Sequence, residues 1–228
     1  GSPGDEHTAS GALKKKWTKG FYKWLDGVEM PTPAGQAALD AYRRQLASCE
    51  EVEQHARALV LAEAARPRWK PYVDAIRRLK GLDTMSAFLA AAEFGDFSRF
   101  ASGRKVSCWL GCVPCDNTSD ERKRHGSITK AGNSHLRRAL VEGCSNIGRR
   151  NGLAKRLDEG QEVSEAVERM AAKGNARLLK RYRHLAGEMG KHPNKAKVAV
   201  VSELVRWVWA IGLEVQSELA ACESGEEA

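Results

Sequence analysis

Apolar positions along this chain recur at spacings of three and four, and the every-second-residue alternation of a half-buried strand is nearly absent. The pattern predicts an all-α protein. Trp17, Phe21, Trp24 and Leu25 share one helical face of the aromatic segment WTKGFYKWL, which Pro31 and Pro33 interrupt. A long helix is expected from about residue 34 to residue 65. Its Leu39, Tyr42, Leu46, Cys49, Ala56 and Val60 make a coiled-coil-like stripe, broken where Glu53 occupies an expected apolar position. Another helix of the chain or a second copy would cover that stripe equally well. Pro67 and Pro71 close this helix and open the next, with Val73, Ile76 and Leu79 facing inward.

The segment LKGLDTMSAFLAAAEFGDFSRF (79–100) reads as two short helices about a turn at Gly81-Leu82-Asp83, with Asp83 as the natural N-cap of the second. It is helix–hairpin–helix-like, although such hairpins read Gly-apolar-Gly and here Asp83 takes the second glycine's place. A carboxylate there repels a phosphate. A plain αα-hairpin that packs Met85, Phe88 and Leu89 into the core is the better reading. Ser102 caps a helix that runs to Leu110. A polar loop with Thr118 and Ser119 follows, and Asn133 opens a helix with Leu136, Leu140, Gly143 and Ile147 on one face. Two further helices are expected at about 161–172 and 175–189. The last helix carries the clearest stripe, formed by Val198, Val201, Leu204, Val205, Val208, Ile211 and Val215. The acidic end from Glu218 is expected to fray. The resulting plan is a tail or tag scar at 1–13, linker and coiled-coil helices at 14–70, a compact multi-helix domain at 71–216 and an acidic tail at 217–228.

Charge changes this picture more than overall composition does. The 228 residues hold 37 Lys+Arg against 29 Asp+Glu, a net charge of +8. Residues 119–156 alone hold 10 cations and 3 acids. A field concentrated in that way favours a polyanion partner. A membrane span is excluded because no run of about 18 apolar residues exists. The opening residues lack the apolar core of a signal peptide, and the six cysteines fall mostly on apolar positions, so reduced thiols and a cytoplasmic location are expected.

Candidate chemistry gathers in GCVPCDNTSDERKRHGSITKAGNSHLRRALVEG, residues 111–143. Ser119 is a hydroxyl nucleophile. Arg122, Lys123, Arg124 and Lys130 are cations within a loop's reach of it, and His125 is a candidate for proton transfer. The helix opening at Asn133 offers unpaired amides and a positive dipole end, with Arg137 and Arg138 in its first turns. These parts can hold and attack a phosphodiester, and they can equally form an ordinary basic surface loop. Cys108, Cys112 and Cys115 have the spacing of an iron–sulfur radical enzyme, but the β/α alternation of that fold is missing. As zinc ligands they have only His125 nearby as a fourth, so they read best as small apolar core residues and no metal is assigned.

Taken in order, GDFSRF, WLGCVP, the Thr118-Ser119 loop, HGSITKAGNSHLRRAL and KAKVAV resemble the C-terminal transposase domain of the IS110/IS116 insertion-sequence family. WTKGFYKWL and the long helix resemble the linker and coiled coil that precede it, so the likeness spans about residues 14–215. The resemblance implies a DNA recombinase guided by a bridge RNA. Its transposase domain supplies a serine that becomes covalently joined to DNA, and counting from Gly111-x-x-Pro114 places that serine at Ser119. Family loops carry two serines and a glycine where this chain reads Thr118-Ser119-Asp120. The family's magnesium is held by a RuvC-like domain that does not precede residue 14 here, so no cofactor is expected in this chain and the fragment alone is expected to be inactive. DNA, bridge RNA and further copies of the chain, as a dimer or higher oligomer, are the partners implied. Two other readings stay open: a non-catalytic nucleic-acid-binding module, and a structural helical oligomer with incidental basicity.

Overall fold

The structure, a computed structural model, describes residues 17–119, 122–145, 147–149 and 160–226, with the side chains of 114–127, 149, 225 and 226 outside that description. The expected tail at 1–13, Asp120 and the polar basic stretch at 150–159 therefore lie outside the described residues. The chain divides into two compact units, Gly1–Arg57 and Ala58–Ala228.

In the first unit, α1 (Lys19–Asp26) starts where the Thr18 hydroxyl accepts the Phe21 N–H at 3.2 Å. Phe21 sits between Trp17 and Trp24, with ring centroids 5.3 and 5.8 Å away. Helix α2 (Pro33–Ala64) starts at the second of the two prolines. Arg43 of α2 reaches back to the end of α1 and donates to the carbonyls of Leu25, Asp26 (3.1 Å) and Val28 (2.8 Å). It thereby satisfies carbonyls that a helix C-terminus leaves without partners. The Tyr22 hydroxyl donates to the Glu50 carboxylate, which raises the phenol's pKa. Along α2 the expected stripe is half covered: Tyr42 is 72% exposed and Cys49 and Ala56 are exposed, whereas Leu39, Leu46 and Val60 are half-buried.

The second unit is built around α8 (Pro193–Glu226). Val200, Val201, Leu204, Val205, Val208, Ile211 and Val215 are buried along it, against α3 (Lys70–Ile76), α5 (Gly103–Trp109), α6 (Ser134–Gly143) and α7 (Glu165–Arg183). Helix α4 (Thr84–Phe94) lies on α3 and α6. The GDFSRF segment acts as the joint. The Phe97 ring stacks on Phe94 at 4.8 Å and on Tyr72 at 5.4 Å. Trp209 donates to the Phe97 carbonyl at 2.9 Å, and Gln216 donates to Asp96 at 2.9 Å while accepting the Phe97 N–H at 3.1 Å. The Gln216 and Ser98 hydrogen bonds hold the Asp96 carboxyl below its ordinary pKa.

Four expectations need correction. Residues 161–172 and 175–189 are not two helices, since α7 runs unbroken through Gly174 and ends in a π-turn at His184–Glu188. Gly174 is a seat and not a break: a Cβ there would stand 3.0 Å from the Trp207 ring. The acidic end does not fray at Glu218, because α8 continues to Glu226 with Leu219 packed on the core. The fully buried face of α4 is Ala87, Ala90, Ala91 and Phe94; Phe88 and Leu89 pack against the core's edge, half-buried, and Met85, which was expected beside them, lines an open groove with them instead. The three alanines let α4 approach its neighbours closely, and Phe94 fills the core at its end. Asp83 does cap α4, its carboxylate accepting the Ser86 N–H at 2.9 Å while the Ser86 hydroxyl accepts the Asp83 N–H at 3.0 Å. Finally, the polar loop is a two-stranded antiparallel ribbon, β1 (Pro114–Ser119) and β2 (Arg122–Ile128), inserted in an otherwise helical fold.

Candidate nucleic-acid interface

The ribbon leaves the helical core through a tightly built root. Gly111 takes φ +70° just after α5 and Lys130 takes φ 54° just after β2. Their meeting is closed by the Lys130 N–H donating to the Gly111 carbonyl at 3.1 Å and the Thr129 N–H donating to the Val113 carbonyl at 3.0 Å. Gly132 passes so close to α5 that a Cβ on it would lie 2.1 Å from the Trp109 carbonyl oxygen. Only glycine permits that approach. Arg137 then reaches across and donates to the Leu110 carbonyl at 2.9 Å, satisfying the end of α5. Beneath the root, Cys112 is buried, and burial pushes its thiol up to about 11 although Arg137 pulls the other way.

The register decides which candidate residues the ribbon groups. Ser119 pairs with Arg122, Thr118 with Lys123, Asn117 with Arg124 and Asp116 with His125. Residues paired across a ribbon share a face, and successive residues alternate between faces. Ser119, Arg122 and Arg124 therefore belong to one face, and Lys123 and His125 to the other. The register does not bring His125 to Ser119. Lys130 is exposed at the root.

Helix α6 begins at Asn133, as expected, but the Asn133 side chain is used as its cap and accepts the Leu136 N–H at 2.9 Å. Arg137 is engaged with α5, and Arg138 pairs with Glu142 at 2.9 Å while remaining 82% exposed. Of the two α6 arginines, Arg138 alone faces solvent broadly. Of the five cysteines described, Cys112 and Cys144 are core residues, whereas Cys49, Cys108 and Cys222 are exposed. Among the described residues no three His, Cys, Asp or Glu side chains converge as a metal site, and no helix is long and apolar enough to cross a membrane.

A second cationic surface lies on α7, and the reading of charge by contiguous window missed it. From Arg169 to Arg183 there are six Lys or Arg and no acid. Arg169, Lys173, Arg177 and Arg181 stand four residues apart, the spacing that aligns side chains on one helix face. That periodicity was the signal available in the sequence.

Fold and site together define a helical domain with a basic ribbon set on it. Comparison gives that class a family context. Residues 73–158 match the model of the transposase IS116/IS110/IS902 family. The chain is 36% identical over 212 residues to the putative transposase y4qE of Sinorhizobium fredii, an alignment covering 89% of this chain and 49% of that protein. It is 28% identical over 148 residues to a probable family 20 transposase of Pseudomonas aeruginosa, covering 64% of this chain and 37% of that protein. The putative transposase y4pF/y4sB of Sinorhizobium fredii is 27% identical over 136 residues, covering 60% and 30%. The chain is thus homologous to transposases of this family, and it spans about half the length, or less, of the curated relatives it matches.

Proposed function

We propose that this chain is the C-terminal part of an insertion-sequence transposase, binding DNA and a guide RNA and supplying Ser119 as the nucleophile for strand cleavage and exchange. The observation that carries the reading is that the family match at residues 73–158 contains the whole ribbon, its root and α6. In the step proposed, the Ser119 oxygen attacks a DNA phosphorus. A Ser–O–P bond forms, the bond from phosphorus to one bridging deoxyribose oxygen breaks, and that oxygen leaves with a proton while the serine proton is lost to a base. Arg122 and Arg124, on the Ser119 face by register, neutralise the charge that grows on the non-bridging oxygens. Lys130, Lys123 and Arg138 steer the strand, and His125, on the opposite face, is assigned to backbone contact and not to the serine proton. Arg137 and Asn133 build the frame.

Magnesium chemistry belongs in this reading to carboxylates of a RuvC-like domain of the longer protein. The exposed positions of the α2 stripe, Tyr42, Cys49 and Ala56, support assembly with a second copy. The test is made in a protein of the relatives' length that contains this chain. Wild type is expected to form a covalent protein–DNA adduct on a denaturing gel, and Ser119→Ala is expected to abolish it. An adduct that survives the substitution rules out Ser119. Unchanged strand exchange without any adduct points to a non-catalytic binding module.

A further inference from the structure

We infer that the groove between α7 and α8 holds an unpaired nucleic-acid strand, its phosphates along the α7 cations and a base against the indoles of α8. The inference rests on the reading that the chain binds nucleic acid, and it adds a second surface to the ribbon. The groove has a volume of about 390 Å³, within the range of a small-molecule site. Arg177, Arg181 and Arg206 line it together with Trp207 and Trp209. A basic groove with aromatic platforms is the arrangement that binds single strands, since every base offers a π-face and every nucleotide a phosphate.

Each part is fixed in place before any ligand arrives. Glu203, with a side chain only 13% exposed, pairs with Arg177 and with Arg181, the latter at 3.4 Å. It sets both guanidiniums one helical turn apart while they stay 66% and 45% exposed. The Arg206 stem lies over Gly103, and its Nε donates to the Ser107 hydroxyl at 2.7 Å, which itself donates to the Ser202 carbonyl at 2.8 Å. Trp207 rests on Gly174, and the Trp209 ring nitrogen is held by the Phe97 carbonyl. Beyond the groove's lining, Lys173 and Arg169 continue the α7 cations, so that the run from Arg169 to Arg181 covers about 18 Å of the helix, the length of a few nucleotides. One acid against three arginines leaves the groove net positive, and the exposed remainder of each guanidinium is the part a phosphate would meet.

The experiment titrates the 228-residue chain with labelled unpaired oligouridylate, unpaired oligothymidylate and a duplex of matched length, at a series of salt concentrations. Arg177→Gln with Arg181→Gln is expected to weaken unpaired-strand binding about tenfold or more and to reduce the salt slope by about 1.4, for two phosphates lost. Binding to the duplex is expected to change less than twofold. Both arginines are exposed, so circular dichroism should show the fold intact. Photo-crosslinking from 4-thiouridine is expected to mark peptides containing Arg177 or Trp207. A stronger uridylate than thymidylate response identifies the strand as RNA, and the reverse as DNA. If the double variant binds single strands with wild-type affinity and slope while Arg122→Gln with Arg124→Gln loses them, the groove is overturned and the ribbon reading stands. If wild type binds none of the three probes, both readings fail.

Discussion

The ribbon carries its cations side by side in sequence, whereas α7 carries them every fourth residue. In a ribbon, neighbours alternate between faces, so the run Arg122-Lys123-Arg124-His125 is split in two. On a helix, every fourth residue returns to one face, so Arg169, Lys173, Arg177 and Arg181 form one row. Charge that looks dense along a chain is therefore diluted by a strand, and charge that looks sparse is concentrated by a helix. The two regions also differ in how they are mounted. Helix α7 buries Val167, Ala171, Leu178 and Leu179 and belongs to the core. The ribbon hangs from a root made of backbone bonds, one close glycine and one arginine.

The largest effect separating the two is expected at the mount of α7. Arg78, only 3% exposed, faces the Glu168 carboxylate at 2.7 and 2.8 Å. Nearby, Asn175 accepts the Lys80 N–H at 2.8 Å and donates to the Arg78 carbonyl at 3.1 Å, tying the end of α3 to α7. Glu168→Ala leaves a buried guanidinium without its counter-charge, at a cost of about 3 kcal/mol. The urea midpoint should fall with the denaturant slope unchanged, because the whole second unit unfolds together. A midpoint within error of wild type would mean that α7 is not held by this pair.

Gly132→Ala should do the opposite and spare the core. A Cβ 2.1 Å from the Trp109 carbonyl forces the root apart. Adduct formation in the longer protein is expected to drop at least tenfold, since the serine depends on the ribbon's placement. Single-strand binding at α7 should stay within twofold in the same protein. If both fall together, the ribbon and α7 are one surface and the comparison collapses.

Much of this was legible in the sequence, for identifiable reasons. The α8 stripe, the Ser102, Asp83 and Asn133 caps and the all-α class follow from apolar spacing and cap chemistry, which are local. The ribbon was not legible, because PCDNTS and RKRHGSI lack the apolar alternation that marks a strand with one buried face. Gly174 falls in the gap between the two expected helices, and its place inside α7 shows only once Trp207, from α8, is known to fill the space beside it. Arg137 shows the same limit at the site. Its position in the first turns of a helix suggests a phosphate clamp, but the Leu110 carbonyl that engages it is 27 residues away in the chain.

That arginine gives the smallest and most local prediction. Arg137→Met keeps the stem but removes the donor to Leu110, which is worth about 1 kcal/mol of root closure. Such a loss opens the root about fivefold more often without unfolding the core. Cys112 lies under the root and reports the opening. Its thiol, pushed up to about 11 by burial, stays protonated and sheltered at neutral pH while the exposed Cys49, Cys108 and Cys222 accept alkylating reagent. Removing the Arg137 charge raises the buried thiol further, so labelling from the closed state should slow. An open root places the thiol in water, where it titrates as an ordinary cysteine. The two effects have opposite signs, so the measured rate distinguishes them. With mass-spectrometric readout at neutral pH, Cys112 labelling in Arg137→Met is expected to be about fivefold faster than in wild type. A rate that is unchanged or slower would show that Arg137 tunes the thiol without holding the ribbon's root.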